Sequence, residues 1–528
     1  MTEFRHTRPG RSRLPLLLLA PLLLLIALGS WAVASPVGGA PDENYHIASI
    51  WCGAGDRPGL CETAPDGAGK WVPWATIASQ CYAFHPEITA NCQREVLGSD
   101  PNHLVTTDHV NSTAHFYSPV YYSVMSVFAS SDVAVSVIAV RLLNVVIFVA
   151  IITALYLLLP SRRRPLLVVP MAATLIPWGL FLVASVNPSG WAVLAGGTLW
   201  LAMLGFLESS GRRRIGLGVL AALITVMGAG ARPDMAVYAV VALGAAVLIA
   251  ARGPRGRRFW LSIAYPAALS LVCFLLYLTA QQATAWQNGA APGSGGGTLH
   301  GRELLLRNLL DVPLLWFGSF GTWPLGWNDV VMPAVVWVGM MFVVGAVVFM
   351  GLASMGWRKA VLLAVAAAAL IVLPVYLLQR NDMEVGALVH PRYLLPLVTM
   401  FVGFAMLPVG GKKPLALTRV QAYGIVAILS IANAVALYSN IKRYTLGNVT
   451  GLRLTAPGSW WWEAGVPHPL IVWLLGSATF IAALSLLAHE LLTSQSALHA
   501  QLSRLAGLGG REDPSAQGSS PRGLANTQ

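Results

Sequence analysis

The sequence predicts an all-α protein: a polytopic bundle of about twelve transmembrane helices with a large, disulfide-braced first outer loop. Three observations predict it. Of the 528 residues, 56% are hydrophobic and only 11% charged, where an average soluble domain carries about 25% charged residues. Mean hydropathy is +0.64. The basic residues stand in short clusters between long apolar runs. Too few charges remain to cover a soluble surface of this size, and disordered, fibrous and small disulfide-scaffold classes fail on the same figures. The net charge of +12 does not indicate a nucleic-acid partner, because its clusters follow membrane topology rather than one face or groove.

A hydrocarbon core of roughly 30 Å needs about 20 helical residues to cross. Runs of suitable length are Leu14–Ala34, Val133–Leu159, Leu166–Val186, Gly190–Leu207, Ile215–Ala231, Met235–Ala251, Phe259–Ala280, Met332–Leu352, Ala360–Leu378, Tyr393–Val409, Val420–Tyr438 and Leu470–Ala488. Placing Arg5, Arg8, Arg11 and Arg13 in the cytoplasm and alternating puts every later cluster on the same side. These are Arg162–Arg164, Arg212–Arg214, Arg252 to Arg258, Arg358 with Lys359, and Lys412, Lys413 and Arg419. That agreement with the positive-inside rule fixes the parity of the count. The chain then reads as a cytoplasmic N-terminus (1–13), a transmembrane module (14–488) and a disordered cytoplasmic tail (489–528) in the plasma membrane. Long outer loops cover 35–132, 281–331 and 439–468. A cleaved signal peptide ending at Ala32-Val33-Ala34 is the competing reading of the start. The expectation adopted is an uncleaved first helix. Of the 22 acids, only Glu3, Glu208, Glu490, Glu512 and Asp513 fall inside, so polar chemistry is expected at the outer face.

Cys52, Cys61, Cys81 and Cys92 all lie in the first outer loop. An even number in an oxidising compartment predicts two disulfides with three possible pairings. Cys273 sits mid-helix as a packing residue. Just after the first run comes Pro41-Asp42-Glu43-Asn44-Tyr45-His46. Two adjacent carboxylates and a histidine at a membrane surface suit acid/base work or metal binding, against the plainer reading of a solvated acid pair. His115 to Tyr122 follows and opens a short apolar stretch that cannot span and is expected to lie along the interface. Arg141 lies in the next run, where a charge is costly and needs a partner or a function.

The short turn Asn187-Pro188-Ser189-Gly190 is polar. Arg232-Pro233-Asp234 reads as a local ion pair or an anion contact. His390-Pro391-Arg392-Tyr393 offers a guanidinium suited to phosphate. The Gly289–Thr298 stretch reads as flexible. Trp323 and Trp327, and Trp460 to Trp462, are either an interfacial belt or a wall for a sugar ring or polyprenyl chain. No P-loop, HExxH, CxxC or dinucleotide fingerprint occurs, and no repeat of the kind transporters carry.

In this order, the pieces resemble a large bacterial family of multi-pass membrane proteins of unassigned function, itself similar to the GT-C superfamily of polyprenyl-phosphate-dependent glycosyltransferases. The resemblance runs from about Leu14 to Val409. Pro41, Asp42, Glu43 and His46 match one motif. His115, Pro119, Tyr121 and Tyr122 match a second in part, and Asn187-Pro188 an Asn-Pro turn. Arg392, Tyr393 and Pro396 match a Gly-Arg-Tyr-x-x-Pro element in which Pro391 replaces the glycine. The resemblance implies an inverting transfer of a sugar from a polyprenyl-phosphate donor to an envelope glycan, lipid or protein. Asp42 is then the base, with Glu43 and His46 in support. Arg392, Arg232 and Tyr393 hold the donor phosphate, and His115, Tyr121, Tyr122, Asn187, Trp323 and Trp327 contact substrate. A divalent cation is compatible with the acid pair, and nothing in the sequence requires one. The alternative is a non-catalytic lipid-linked-glycan flippase or envelope assembly partner, which should carry ionisable residues mid-helix along a path.

Overall fold

The computed structural model describes residues 14–507 apart from 66, 68, 101, 252–255, 282–298, 410–416 and 463–464. The arginines of 1–13, Arg252, Arg255, Lys412, Lys413, the Gly289–Thr298 stretch and the tail beyond 507 lie outside the described residues. Helix α1 (Leu14–Val33) leads into the first long loop. That loop holds the short helices α2 (Glu43–Trp51), α3 (Ala75–Ala78), α4 (Gln93–Leu97), α5 (Asn111–Ala114) and α6 (Val120–Met125). It also holds a three-stranded antiparallel sheet in the order β1 (Glu62–Thr63), β2 (Lys70–Pro73), β3 (Leu104–Thr107). Glu62 pairs with Trp71, and Trp71 with Thr106.

The bundle continues with α7 (Val133–Leu158), α8 (Arg164–Thr174), α9 (Trp178–Val183), α10 (Ser189–Glu208), α11 (Gly211–Ala231), α12 (Pro233–Ala250) and α13 (Arg257–Leu278). The second long loop contains α14 (Gly301–Asp311) and α15 (Pro313–Phe317). Then come α16 (Ala334–Leu352), α17 (Trp357–Arg380), α18 (Pro391–Ala405), α19 (Arg419–Leu446) and α20 (Pro469–Gly507).

Among the described residues, nine helices are long and apolar enough to cross a membrane, and the apolar stretches Leu19–Val33 and Pro391–Ala405 are shorter. The run expected as one helix over Leu166–Val186 is instead the broken pair α8 and α9. Pro177 has no N–H to continue the ladder, and Leu180 N–H reaches back to Leu175 C=O at 2.9 Å. Helix α20 also differs from expectation, running to Gly507 rather than ending near Ala488.

Helix α10 sits at the centre, with 89% of its span buried. It is apolar on all sides, as a helix without a solvent or lipid face must be. Close approach is a matter of small residues. A side chain at Gly196 would come within 2.6 Å of Pro396 C=O, so only glycine lets α10 and α18 touch here.

The two ends of the bundle differ in charge. At one end Arg163 meets Glu208 at 2.5 Å. There the Lys359 ammonium donates to the carbonyls of Gly351, Ser354 and Leu407, satisfying helix C-termini. The other end carries the long loops. Arg443 of α19 ties them together, pairing with Asp329 of the second loop at 2.7 Å and donating to the carbonyls of Tyr82, His85 and Ile88 of the first. Two disulfides, Cys52–Cys61 and Cys81–Cys92, close short loops within the first. Of the three open pairings, the structure selects the one between sequence neighbours.

Candidate functional site

The segment between α1 and α2 turns sharply, and Asp42 caps α2 with a left-handed backbone (φ 60°). Aspartate tolerates that region better than most residues. Its side chain makes no capping bond and is free to point elsewhere. Asn187 fixes the turn from the far side, its amide donating to Pro41 C=O at 3.0 Å.

The two adjacent acids diverge completely. Glu43 turns inward, where neither it nor Arg141 has any exposed side-chain surface. Its oxygens accept two bonds from Arg141 Nη2, at 2.9 and 3.0 Å, one from Arg141 Nε at 3.3 Å, one from Ala40 N–H at 3.0 Å and one from Val186 N–H at 2.7 Å. Arg141 spends its remaining donors on the carbonyls of Ala32, Ser35 and Pro36. The charge expected to be costly in α7 is therefore fully paired, and it fastens the chain before Asp42 to the bundle.

Asp42 stays open, with 46% of its side chain exposed, and its Oδ2 accepts from Arg392 at 2.6 Å. Arg392 sits in the first turn of α18 behind Pro391, only 4% exposed. The helix N-terminus adds positive potential there. Arg392 Nη2 also donates to the Tyr393 hydroxyl at 3.1 Å.

The Tyr393 ring lies against both arginines, 4.3 Å from the Arg232 guanidinium and 4.9 Å from that of Arg392. Arg232 lies between α11 and α12 and is already matched by Asp234, with Nε–Oδ1 and Nη2–Oδ2 both at 2.9 Å. This is the local ion pair the sequence allowed. Of the two arginines, Arg392 alone carries Nε and Nη1 without a partner among the described residues.

His46 lies one turn after Asp42, 1% exposed. Its Nδ1 is 2.9 Å from the Tyr122 hydroxyl, and its ring packs edge-on to Tyr45 and Tyr117. Burial, with Arg232 and Arg392 nearby, lowers the imidazole to about 3 despite Asp42. His390 is likewise lowered to about 4, by burial first and then by Arg392. Both are neutral at pH 7. Burial is the largest single influence on the Asp42 carboxyl and pushes it up. Arg392, His46, His390 and Arg232 act in the other direction and hold it below the usual carboxylate value. With the histidines neutral, Arg392 is the main source of that effect.

Among the other residues singled out from sequence, Tyr121 is buried and accepts from Asn144 at 3.3 Å. Trp323 packs edge-on to His390. The Trp327 indole donates to Gly38 C=O at 2.9 Å, bracing the segment before Asp42. His115 is exposed, and its carbonyl accepts from Gln281 N–H at 2.8 Å; none of its described contacts joins the cluster.

Tyr117 and His390 were not named as site residues, yet each borders the cluster. Tyr117 lies 5.8 Å from the Arg232 guanidinium. Both stood inside recognised motifs, but only the fold shows which motif members face Asp42. Among the described residues no three of His, Cys, Asp and Glu are arranged to hold a metal ion.

The arrangement offers a half-exposed carboxylate and a guanidinium with spare donors within hydrogen-bond reach of each other. Such a pair can take a proton from a bound hydroxyl and hold an anion beside it. No curated protein and no solved structure matches the chain. A family model described as "Predicted membrane protein (DUF2142)" matches residues 24–402, a stretch that contains every residue of this cluster. The chain therefore belongs to that family of membrane proteins.

Proposed function

We propose that the protein is a GT-C-like glycosyltransferase of the plasma membrane. In this reading the loop end faces outward, both termini are cytoplasmic, and a sugar passes from a polyprenyl-phosphate donor to an envelope glycan, lipid or protein. The observation that carries the reading is the Asp42–Arg392 pair at 2.6 Å, open on the carboxylate side and buried on the arginine side. Asp42 accepts the proton of the acceptor hydroxyl. The hydroxyl oxygen bonds to the anomeric carbon as the bond from that carbon to the phosphate oxygen breaks, with inversion. The leaving phosphate keeps the electron pair and is stabilised by Arg392 at the N-terminus of α18.

Donor phosphate also competes with Asp42 for Arg392. Its binding loosens the ion pair that holds the carboxylate acidic and makes Asp42 a better base when donor is present. Tyr393 and the Arg232–Asp234 pair keep Arg392 in place.

Purified protein given candidate polyprenyl-phosphate sugars, with released lipid phosphate as the readout, tests the reading. Turnover that requires Asp42 supports it. Transbilayer movement of a lipid-linked glycan without release of lipid phosphate would instead support the flippase alternative.

A further inference from the structure

A cavity lies where the first long loop, the start of α7 and the third long loop meet. Its volume is about 560 Å³, within the range of roughly 300–1,000 Å³ usual for ligand sites. Trp74, Trp461 and Trp462 line it together with Arg94, Asp100 and Asp132. We propose that this groove binds a neutral saccharide chain.

The lining chooses the ligand class. Trp74 is partly exposed and lends the groove a flat apolar face of the kind that packs against a sugar ring, while Trp461 and Trp462 are buried. Asp132 uses one oxygen to cap α7 through Val135 N–H, and Asp100 uses one on Asn102. The other oxygen of each has no partner among the described residues. Donors are free as well. Arg94 is half-buried and donates through Nη2 to Trp460 C=O, and its Nη1 has no partner among the described residues. That guanidinium favours a ligand that also supplies acceptors. A hydroxyl both donates and accepts and satisfies the two sets at once. A phosphate or other anion would meet two carboxylates against a single guanidinium. A lipid tail would leave every polar group unsatisfied.

The position fits a chain rather than one sugar. Capped by Asp42, helix α2 ends at Trp51, whose indole donates to Ser130 C=O at 3.1 Å, next to the groove-lining Ser131 and Asp132. Nine residues at 1.5 Å each separate the two places by about 13 Å, the reach of a few linked sugars. On the other side, the Trp462 indole donates to Val33 C=O at 2.8 Å, at the end of α1. The groove thus holds units remote from the reacting end. That this chain is the acceptor rests on the transferase reading, whereas its binding does not.

The test is a glycan array of neutral and anionic oligosaccharides probed with the detergent-purified full chain. Binding to neutral members is expected, at least tenfold weaker in Trp74→Ala and in the Asp100→Asn/Asp132→Asn double variant. Asparagine keeps the cap of α7, so the double variant should fold even if Trp74→Ala does not. Asp42→Asn should bind as wild type. Absent glycan binding, a preference for anionic members, indifference to the groove variants, or loss of binding in Asp42→Asn would each overturn the proposal. Binding without any sugar transfer would leave the groove standing and remove the transferase reading instead.

Discussion

The carboxylate of Glu43 and the guanidinium of Arg141 meet at 2.9 Å with no exposed side-chain surface on either. Asp42, its neighbour in sequence, is half-exposed and faces Arg392. One peptide bond therefore separates a sealed ion pair from an open one, and each can be tested separately.

Asp42→Asn keeps the shape and removes the basicity. A loss of transfer on the order of 10²-fold or more is expected for a removed general base, with donor affinity retained and thermal stability nearly unchanged. Transfer rate and donor binding measured on one detergent preparation check this. Wild-type turnover would end the assignment of Asp42.

Glu43→Gln should act through stability. Removing one partner strands a buried charge, at a cost of about 3–5 kcal/mol. A markedly lowered melting temperature is expected. Replacing both partners with apolar residues, Glu43→Leu with Arg141→Met, should recover much of it. A stable, inactive Glu43→Gln would contradict the structural role given to this residue.

Arg392→Lys retains the charge but loses the guanidinium's spread of donors. Donor KM should rise by about tenfold or more while the protein remains folded, and Arg232→Lys should affect folding more than KM, because Arg232 is matched to Asp234 at two points. Steady-state kinetics over a donor series separate these outcomes, and an unchanged donor KM in Arg392→Lys would remove it from the phosphate site.

The site should be acid-labile. His46 and His390, lowered to about 3 and about 4, bind fewer protons folded than unfolded once the pH falls below about 6.5. Stability is therefore full above that value and declines as the pH falls toward the folded values. Asp42, held below its usual value, adds a loss of the same sign at lower pH. Melting temperatures from pH 7 to pH 4 should fall, and less steeply in His46→Gln. Equal slopes for the two proteins would contradict a buried neutral His46.

Non-reducing mass spectrometry should recover Cys52 joined to Cys61 and Cys81 joined to Cys92. Loops this short contribute about 2–3 kcal/mol each by restricting the unfolded chain. Reduction should loosen the first long loop before the bundle. Alkylation of all four thiols in native protein would rule the bridges out.

The sequence by itself determined the helical membrane character and nearly every helix. Apolar length and the thickness of a hydrocarbon core are one-dimensional quantities, and eleven of the twelve runs each fall on a single helix. It also marked Pro41 to His46, Arg232 to Asp234 and His390 to Tyr393 as polar segments at helix ends, because charge there is out of keeping with its surroundings. Only the tertiary structure decided that Asp42 and Arg392, 350 positions apart, touch. Only it sent Glu43 inward to Arg141, matched Arg232 to Asp234, and placed Tyr117 and His390 at the cluster while leaving His115 outside. It also broke the run at Leu166–Val186 and chose among the cysteine pairings. The physical reason is common to all of these. The direction of a side chain depends on local backbone dihedrals and on which distant partner completes its hydrogen bonds, and neither is written in composition or spacing.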